Sequence, residues 1–519
     1  MRSTFHGIET AKRSLFTQQA ALQTTAHNIA NANTAGYSRQ VVNMVASRPI
    51  EAVGMSHSAV PGQLGTGVEF TSITRVRERF LDDQFRNESK GLGSWTVQAD
   101  TLEKLEAIMN EPSSTGIRTV IDNFWKSWSD LSKDPENVTG RKIVRENAMA
   151  LADAFNYTSK QLRDLSTDLT NNVDVKATQM NSITTGIANL NAEIFRIEGL
   201  GDDANDLRDQ RDLLVDQLSQ IVNITVQDTD QGYNINMGTI NLVNGQTAVP
   251  TSAAALTDAY NSGILNSGEV HGMLLSRERY VSDYQRQLDT LANTIANGEV
   301  TITIPKGSVL PEGTVLNNIK YTGASRTLTD DLTVKVNGLN GLHKLGYNLS
   351  DPIQAGGDFF TAKSGFTAIT AESFLLNPVL AANPDKIATS LRTVVSGGSE
   401  KVVKGNNGLA LLISQLKDTK FTFASGGAIV AEGTVDDYFR STVGQLGVQS
   451  KEATRQLENQ KALVDQVDSR RQSVSGVSID EEMSNMIKFQ HAYGAASRAM
   501  TTFDEMLDKV INSMGVVGR

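Results

Sequence analysis

The chain has 519 residues, 48 Lys and Arg against 58 Asp and Glu, a net charge of −10, and no cysteine. That balance argues against a duplex nucleic-acid binder, which needs a basic face, and the lack of cysteine excludes a disulfide framework, a thiolate nucleophile and a cysteine metal site. The length is several times that of a typical domain, so three or four domains are expected. Apolar runs are short, Leu409 to Ile413 being the longest, so no membrane span and no membrane partner are expected. The first residues, Met1 to Thr10, lack the apolar core of a secretory signal, so any export is expected to use no cleaved leader.

Ile8, Leu15, Leu22 and Ile29 recur every seven residues, with Ala11 and Ala26 beside them, and predict an amphipathic helix of about 25 residues. It runs into Asn28-Ile-Ala-Asn31-Ala-Asn33-Thr-Ala-Gly36-Tyr37, where Gly36 is the natural stop because glycine tolerates a left-handed backbone. An extended segment begins at Ser38. Gly54, Gly62, Gly65 and Gly67 break the next stretch into turns and short strands, and Val68 to Ile73 alternates as a strand does. Helical character returns near Glu78, through Phe80, Leu81, Phe85, Leu102, Leu105 and Ile108, and ends by Pro112. Ser114 is a candidate cap for the next helix, which carries Val120, Ile121, Phe124, Trp125 and Trp128.

Arg141 to Glu198 reads as one or two very long helices. Phe155, Leu162 and Leu169 keep heptad register, and Met180, Ile183, Ile187, Leu190 and Ile194 follow after a four-residue stutter. Asp206 to Ile221 is a further helix. The period then changes to two at Ile224 to Gln227 and Tyr233 to Met237, around a turn ending at Gly232, which is a hairpin signal. Glu269 to Ala296 is helical. Val300 to Ile304 and Val315 to Tyr321 are β-rich, and Gly338 to Gly433 is mixed, with a helix at Leu409 to Lys417 and a strand at Lys420 to Ala424. Val435 to Val474 is helical again.

The last stretch, Ile479 to Met514, carries two seven-residue columns: Ile479, Met486, Tyr493, Met500, Leu507, Met514 and Glu482, Phe489, Ala496, Phe503, Val510. These are positions a and d of a heptad repeat with one polar member, Glu482. A helix of that length measures roughly 54 Å at 1.5 Å per residue, too long for a compact core to cover its stripe. The N-terminal helix is the expected partner. The fold class is therefore α+β and multidomain, with the two termini together. The expected parts are a terminal coiled-coil stalk (1–45 with 475–519) and a helical bundle (46–222 with 435–474 and helix 269–297). A β-rich outer domain (223–265 and 335–434) and an inserted β-rich lobe (298–334) lie further out.

No enzyme chemistry is expected. There is no Gly-rich phosphate loop with its Lys and no nucleophile elbow. His6, His27, His57, His271, His343 and His491 are never within metal-ligand spacing of one another. Asp202, Asp203, Asp206, Asp209 and Asp212 lack the order of a calcium loop and read as helix capping with a solvated face. Ser14 and Ser497 have no base in register. No catalytic, cofactor-binding or metal residue is assigned.

The stretch Ala21 to Tyr37 resembles the N-terminal signature of bacterial flagellar axial proteins of the rod, hook and junction, and Ala492 to Leu507 resembles their C-terminal one. Tyr37-Ser38-Arg39-Gln40 and Val474 to Met483 resemble more specifically the hook-associated protein 1 family. Gly65 to Val68, Asp206 to Asp212 and Leu288 to Ala292 add to that resemblance. The resemblance implies a structural, extracellular component of the flagellum, forming a ring at the hook–filament junction with its stalk lining the central channel. It implies export unfolded through the flagellar type III apparatus. The implied partners are copies of the same chain, hook protein, hook-associated protein 3 and a cytoplasmic chaperone on the C-terminal helix. The residues expected to build the stalk and its assembly are Ile8, Leu15, Leu22, Ile29, Asn31, Asn33, Gly36 and Tyr37, with Ile479, Met486, Phe489, Tyr493, Met500, Phe503, Leu507 and Val510. A binding role for the outer lobe stays open.

Overall fold

A computed structural model describes residues 5–49, 64–109, 116–423 and 430–513. The expectations placed on Gly54, His57, Gly62, Pro112, Ser114, Ala424 and Met514 lie outside those residues. The chain opens with α1 (His6–Ala30), β1 (Gln40–Ala46), β2 (Val68–Arg75) and α2 (Arg79–Met109). Then follow α3 (Ile117–Lys133), α4 (Val138–Glu198) and α5 (Asn205–Ile221). Four short strands come next: β3 (Thr225–Thr229), β4 (Gly232–Met237), β5 (Ile240–Asn244) and β6 (Thr247–Ala248). They lead to α6 (Ala253–Asn261), α7 (Glu269–Leu275), a π turn over Ser276–Val281 and α8 (Ser282–Asn297). The next elements are β7 (Glu299–Ile304), β8 (Val315–Leu316), β9 (Ile319–Lys320), β10 (Leu332–Asn337) and α9 (Gly338–His343). After them come β11 (Phe360–Ala362), β12 (Phe374–Leu376), α10 (Pro378–Ala382), β13 (Thr393–Ser396) and β14 (Ser399–Val402). The chain closes with α11 (Gly408–Gln415), β15 (Phe421–Thr422), β16 (Glu432–Gly433), α12 (Val435–Ser475) and α13 (Ile479–Ser513).

Two compact units divide the chain, and the division falls within α2, α4, α7 and α12. The first comprises Met1–Ser94, Asp174–His271 and Glu458–Arg519. Here β1 and β2 form an antiparallel pair with an irregularity at Asn43/Met44, and β3 to β6 form a four-stranded antiparallel meander. Burial follows the pattern of the sequence: Met180, Ile183, Ile187 and Ile194 of α4, Val215, Leu218 and Ile221 of α5, and Ile235, Met237, Leu242 and Val243 of the meander are all buried. Asn191 of α4 holds the meander's turns. Its Nδ2 donates to the carbonyls of Tyr233 (3.0 Å) and Gly245 (2.6 Å), and its Oδ1 accepts from the Tyr233 N–H (3.1 Å). Gly93 of α2 sits against the Gln220 carbonyl with no room for a Cβ, so a glycine inside a helix is tolerated for close backbone approach.

The second unit comprises Trp95–Val173 and Gly272–Leu457. Its larger sheet runs in the order β10-β7-β15-β16. The 298–334 stretch thus supplies β7, which pairs on one side with β10 and on the other with Phe421 and Thr422. The core is aromatic. Phe360 stacks on Phe374 with centroids 4.2 Å apart, Phe155 meets Phe374 edge-on at 5.3 Å, and Phe359 lies 5.5 Å from Trp128. Such rings bury large apolar area and add offset or edge-to-face attraction.

Two buried cationic-capable side chains grip one segment of this unit. His343 Nδ1 donates to the Gly357 carbonyl (2.7 Å), and its Nε2 accepts the Ala388 N–H (2.9 Å), a pattern that requires a neutral ring. Arg141 donates to the Ile387 and Pro135 carbonyls and to Thr389 Oγ1. Burial pushes the His343 ring down to about 4 and Arg141 down to about 10. Because the folded His343 sits below its unfolded value, the unfolded chain binds the extra proton in between. Stability from this group is full above about pH 6.5 and is lost as pH falls toward 4, by an amount on the order of 3 kcal/mol. Thermal unfolding followed from pH 7 to pH 4.5 is expected to show this loss, and His343→Gln is expected to flatten it.

Candidate functional site

Among the described residues no group of His, Cys, Asp and Glu is arranged to hold a metal ion. No described helix is long and apolar enough to cross a membrane. What the first unit does build is a polar knot where the two ends of the chain meet.

The helices α1 and α13 pack side by side and antiparallel. Gly7 lies against the Phe503 ring, and Asn28 reaches Glu482 across the pair. These two contacts are three heptads apart on each helix. The α13 column Glu482, Phe489, Ala496, Phe503 therefore faces the α1 column Gly7, Ser14, Ala21, Asn28. Small residues on α1 let large ones on α13 approach, and Ala21, Asn28, Glu482 and Ala496 are buried there. The expected α1 stripe of Ile8, Leu15, Leu22 and Ile29 lies one residue further round and is only half-buried. On α13, Met486, Phe489, Met500 and Leu507 are half-buried, while Ile479, Tyr493, Phe503 and Val510 are exposed. Phe5 and Phe16 of the N-terminal end, and Met483, Ile487, Met506 and Ile511 of α13, are exposed as well.

After α1 the chain turns through Asn31–Gly36, with Gly36 at φ +80° beside the Leu213 side chain. That backbone is the left-handed one that glycine adopts freely. Asn31 donates back to the His27 carbonyl, as a residue ending a helix does, and Asn33 is exposed. Tyr37 O–H donates to Asn28 Oδ1 at 2.8 Å. Asn28 is 1% exposed and uses every polar atom. Its Nδ2 donates to the Gln40 carbonyl (2.9 Å) and Glu482 Oε2 (3.1 Å), and its Oδ1 also accepts the Gln40 N–H (3.0 Å).

The loop beyond is clamped to α5. Ser38 donates both its backbone N–H (2.7 Å) and its hydroxyl (2.8 Å) to Asp209, and Gln40 Nε2 donates to Asp206 (2.7 Å). Arg39 donates its backbone N–H to the Ser475 carbonyl (2.8 Å) and its guanidinium to Glu481 (2.8 Å). The acidic residues of α5, read from the sequence as capping and a solvated face, are correctly placed only for Asp202, Asp203 and Asp206, which are exposed. Asp209, Asp212 and Asp216 are buried and paired. Arg75 reaches Asp209 (2.7 Å) and Asp212 (2.8 Å), Arg77 grips Asp82 with two nitrogens, Arg86 bridges Asp212 and Asp216, and Arg471 reaches Asp216 (2.5 Å). Burial alone would raise the Asp212 carboxyl, but the guanidiniums of Arg77, Arg75, Arg86 and Arg211 outweigh it and hold it well below the usual carboxylate range. Burial likewise would lower Arg77, and Asp212, Asp82 and Asp216 raise it instead.

Sequence reasoning picked the turn residues Asn31, Gly36 and Tyr37 but passed over Asn28, Ser38, Gln40, Glu482 and the paired arginines. One signal was available: Glu482 is the sole polar member of an otherwise apolar column, and it is 3% exposed.

Comparison with known proteins fits this arrangement. A family model described as flagellar basal body rod protein matches residues 8–37, and one described as the flagellar basal body rod FlgEFG protein C-terminal region matches 468–514. A third, the flagellar hook-associated protein FlgK helical domain, matches 102–299. Flagellar hook-associated protein 1 of Bacillus subtilis (strain 168) is 33% identical over the full length of both chains. The proteins of that name from Escherichia coli (strain K12) and Salmonella typhimurium are 28% and 27% identical, over 97% of this chain and 99% of theirs. The solved structure of the flagellar hook junction protein FlgK from Burkholderia pseudomallei shares the fold with a TM-score of 0.50 at 16% identity, covering 76% of this chain and all of that one. Terminal segments of this kind, tied together by their own motif, define a structural axial protein of the bacterial flagellum. The chain belongs to the flagellar hook-associated protein 1 family.

Two outcomes follow from the knot. Asp212→Asn leaves Arg75, Arg77 and Arg86 short of a buried counter-charge and is expected to cost roughly 3–5 kcal/mol in denaturant unfolding. Asn28→Ala strips the Gln40 N–H of its acceptor, and hydrogen exchange at that amide is expected to speed up while the second unit's amides stay unchanged.

Proposed function

We propose that this chain assembles as a ring of like subunits at the hook–filament junction and connects hook to filament through its paired ends, 1–45 with 475–519. Membership in the hook-associated protein 1 family supports the location. The observation that carries the reading is the apolar surface left on the α1–α13 pair. Phe5, Phe16, Met483, Ile487, Met506 and Ile511 stay exposed on helices that already have each other as partners. An apolar face of that extent on a water-soluble chain marks a surface for other proteins. Methionines among them suit contacts with more than one kind of neighbour. Those neighbours are the adjacent copy in the ring, hook protein on one side and hook-associated protein 3 on the other.

The same surface gives a cytoplasmic export chaperone its target on α13 before assembly, since an uncovered apolar helix would otherwise aggregate. Export through the flagellar type III apparatus completes the reading. Within the pair, Ile8, Leu15, Leu22 and Ile29 and the α13 residues Ile479, Met486, Phe489, Tyr493, Met500, Phe503, Leu507 and Val510 supply the half-buried and exposed apolar atoms available to neighbours. Asn31, Asn33, Gly36 and Tyr37 shape the turn that returns the chain to α5. Binding and scaffolding are the activity; no catalytic step is assigned.

Deletion of the residues after 475 tests this. The expected product is folded and soluble, retains the aromatic core of the second unit by near-ultraviolet circular dichroism, and fails to join hook to filament in a strain lacking the native protein. A truncated chain that still supported filament growth would remove the paired ends from the role.

A further inference from the structure

We propose that the first unit holds a site for a small zwitterion, an amino acid or short peptide, in the cavity between the end of α4, α5, the start of α2 and the β3–β4 turn. Arg211 and Arg79 take the ligand's carboxylate, and Asp228 and Asp230 take its ammonium group. The cavity measures about 640 Å³, within the size range of small-molecule sites. All of its lining residues belong to the first unit, so one copy of the chain completes it and the site does not depend on assembly.

The group that calls for a ligand is Arg211. It is 3% exposed, and a cation so far removed from water is ordinarily paired. The carboxylates behind it are already committed: Asp82, Asp209, Asp212 and Asp216 pair with Arg75, Arg77, Arg86 and Arg471. Asp212 attracts Arg211 only at longer range, and three other arginines share that carboxylate. Among the described residues Arg211 is left with one hydrogen bond, from Nη1 to Asn191 Oδ1 (3.0 Å), and with the Tyr233 ring, whose centroid lies 3.5 Å from the guanidinium carbon. Its Nε is buried and meets no acceptor. An aromatic face attracts a cation, but it supplies no oxygen for the guanidinium fork, which a carboxylate matches with two.

The other charges around the cavity decide what kind of carboxylate fits. Arg208 is spent on Glu198, which it grips with two nitrogens. Arg79, Asp228 and Asp230 also line the cavity, and among the described residues none of them forms an ion pair. A plain anion drawn to Arg211 meets repulsion from Asp228 and Asp230, and a plain cation meets it from Arg211 and Arg79. A molecule with both signs satisfies both sets. The acidic turn is fixed before any ligand arrives. Gly232, at φ +103°, sits against Asn191, where an added Cβ would stand 2.5 Å from Cγ, so the turn rests directly on α4. Ile194 and Phe195 give the cavity an apolar wall for a ligand side chain, and Phe195 is half exposed.

Isothermal titration calorimetry on the full chain tests this, with the dipeptide alanyl-glutamate, acetate, ethylammonium and inorganic phosphate as probes at matched ionic strength. A hydrogen bond to a charged group is worth roughly tenfold in an equilibrium, so the dipeptide is expected to bind at least about tenfold more tightly than each of the other probes. Arg211→Gln is expected to abolish that binding. Arg79→Ala and Asp228→Asn alter exposed side chains, so the fold is retained, and each is expected to weaken the dipeptide by about tenfold. Asp228→Asn is expected to leave acetate bound no more weakly, because it removes a repulsion. Failure of the dipeptide to bind the unaltered chain would overturn the proposal, since water alone then fills the cavity. Equal affinity for acetate or phosphate would overturn it as well, because the acidic turn would then play no part. Dipeptide binding left unchanged by both Arg79→Ala and Asp228→Asn would do the same, by placing the ligand elsewhere.

Discussion

A carboxylate removed from water needs a counter-charge, and three of them in the first unit, Asp209, Asp212 and Asp216, have been removed from water on one helix face. Their partners come from β2 (Arg75), from the segment leading into α2 (Arg77), from α2 itself (Arg86) and from the end of α12 (Arg471). None is satisfied by its own neighbours in sequence. Each of those elements must therefore arrive before α5 can be buried, and the unit closes as a whole. Residues hundreds of positions apart are joined by charge pairing that no single helix or hairpin could supply.

The terminal pair depends on this closure. Ser38 shares Asp209 with Arg75, so the turn after α1 is anchored in the same network. Asn28 then carries that anchorage across to Glu482 on the last helix. The ends of the chain are held at one point by polar contacts and along their length by small side chains against large ones. This leaves the outer apolar faces of both helices uncovered in the single chain. In the proposed ring those faces meet neighbouring subunits.

Much of the helical framework was legible from side-chain period. The final helix was placed to within a residue of Ser513, α12 to within a residue of Ser475, and the β3–β4 hairpin was signalled by alternation around Gly232. Short elements were not legible. The six residues of α9 and the five of α10 are too few to show a helical period, and the π turn at Ser276–Val281 leaves the apolar pattern nearly unchanged while altering the backbone hydrogen bonds. At the site, the glycine stop and Tyr37 stood out because turn chemistry is local. Asp209 and Asp212 did not, since a carboxylate looks the same in sequence whether water or an arginine from another element faces it.

What the sequence determined by itself is the part governed by neighbours: the length and phase of the long helices, the turn at Gly36, and the presence of a heptad column on α13. Which side of α1 receives that column was decided by tertiary structure. Large apolar residues mark Ile8, Leu15, Leu22 and Ile29, yet Gly7, Ser14, Ala21 and Asn28 form the contact because only small side chains admit Phe503 at that distance. The burial of Glu482 was decided in the same way. A charged residue in an apolar column is unfavourable until a donor reaches it, and its donor, Asn28, lies at the other end of the chain.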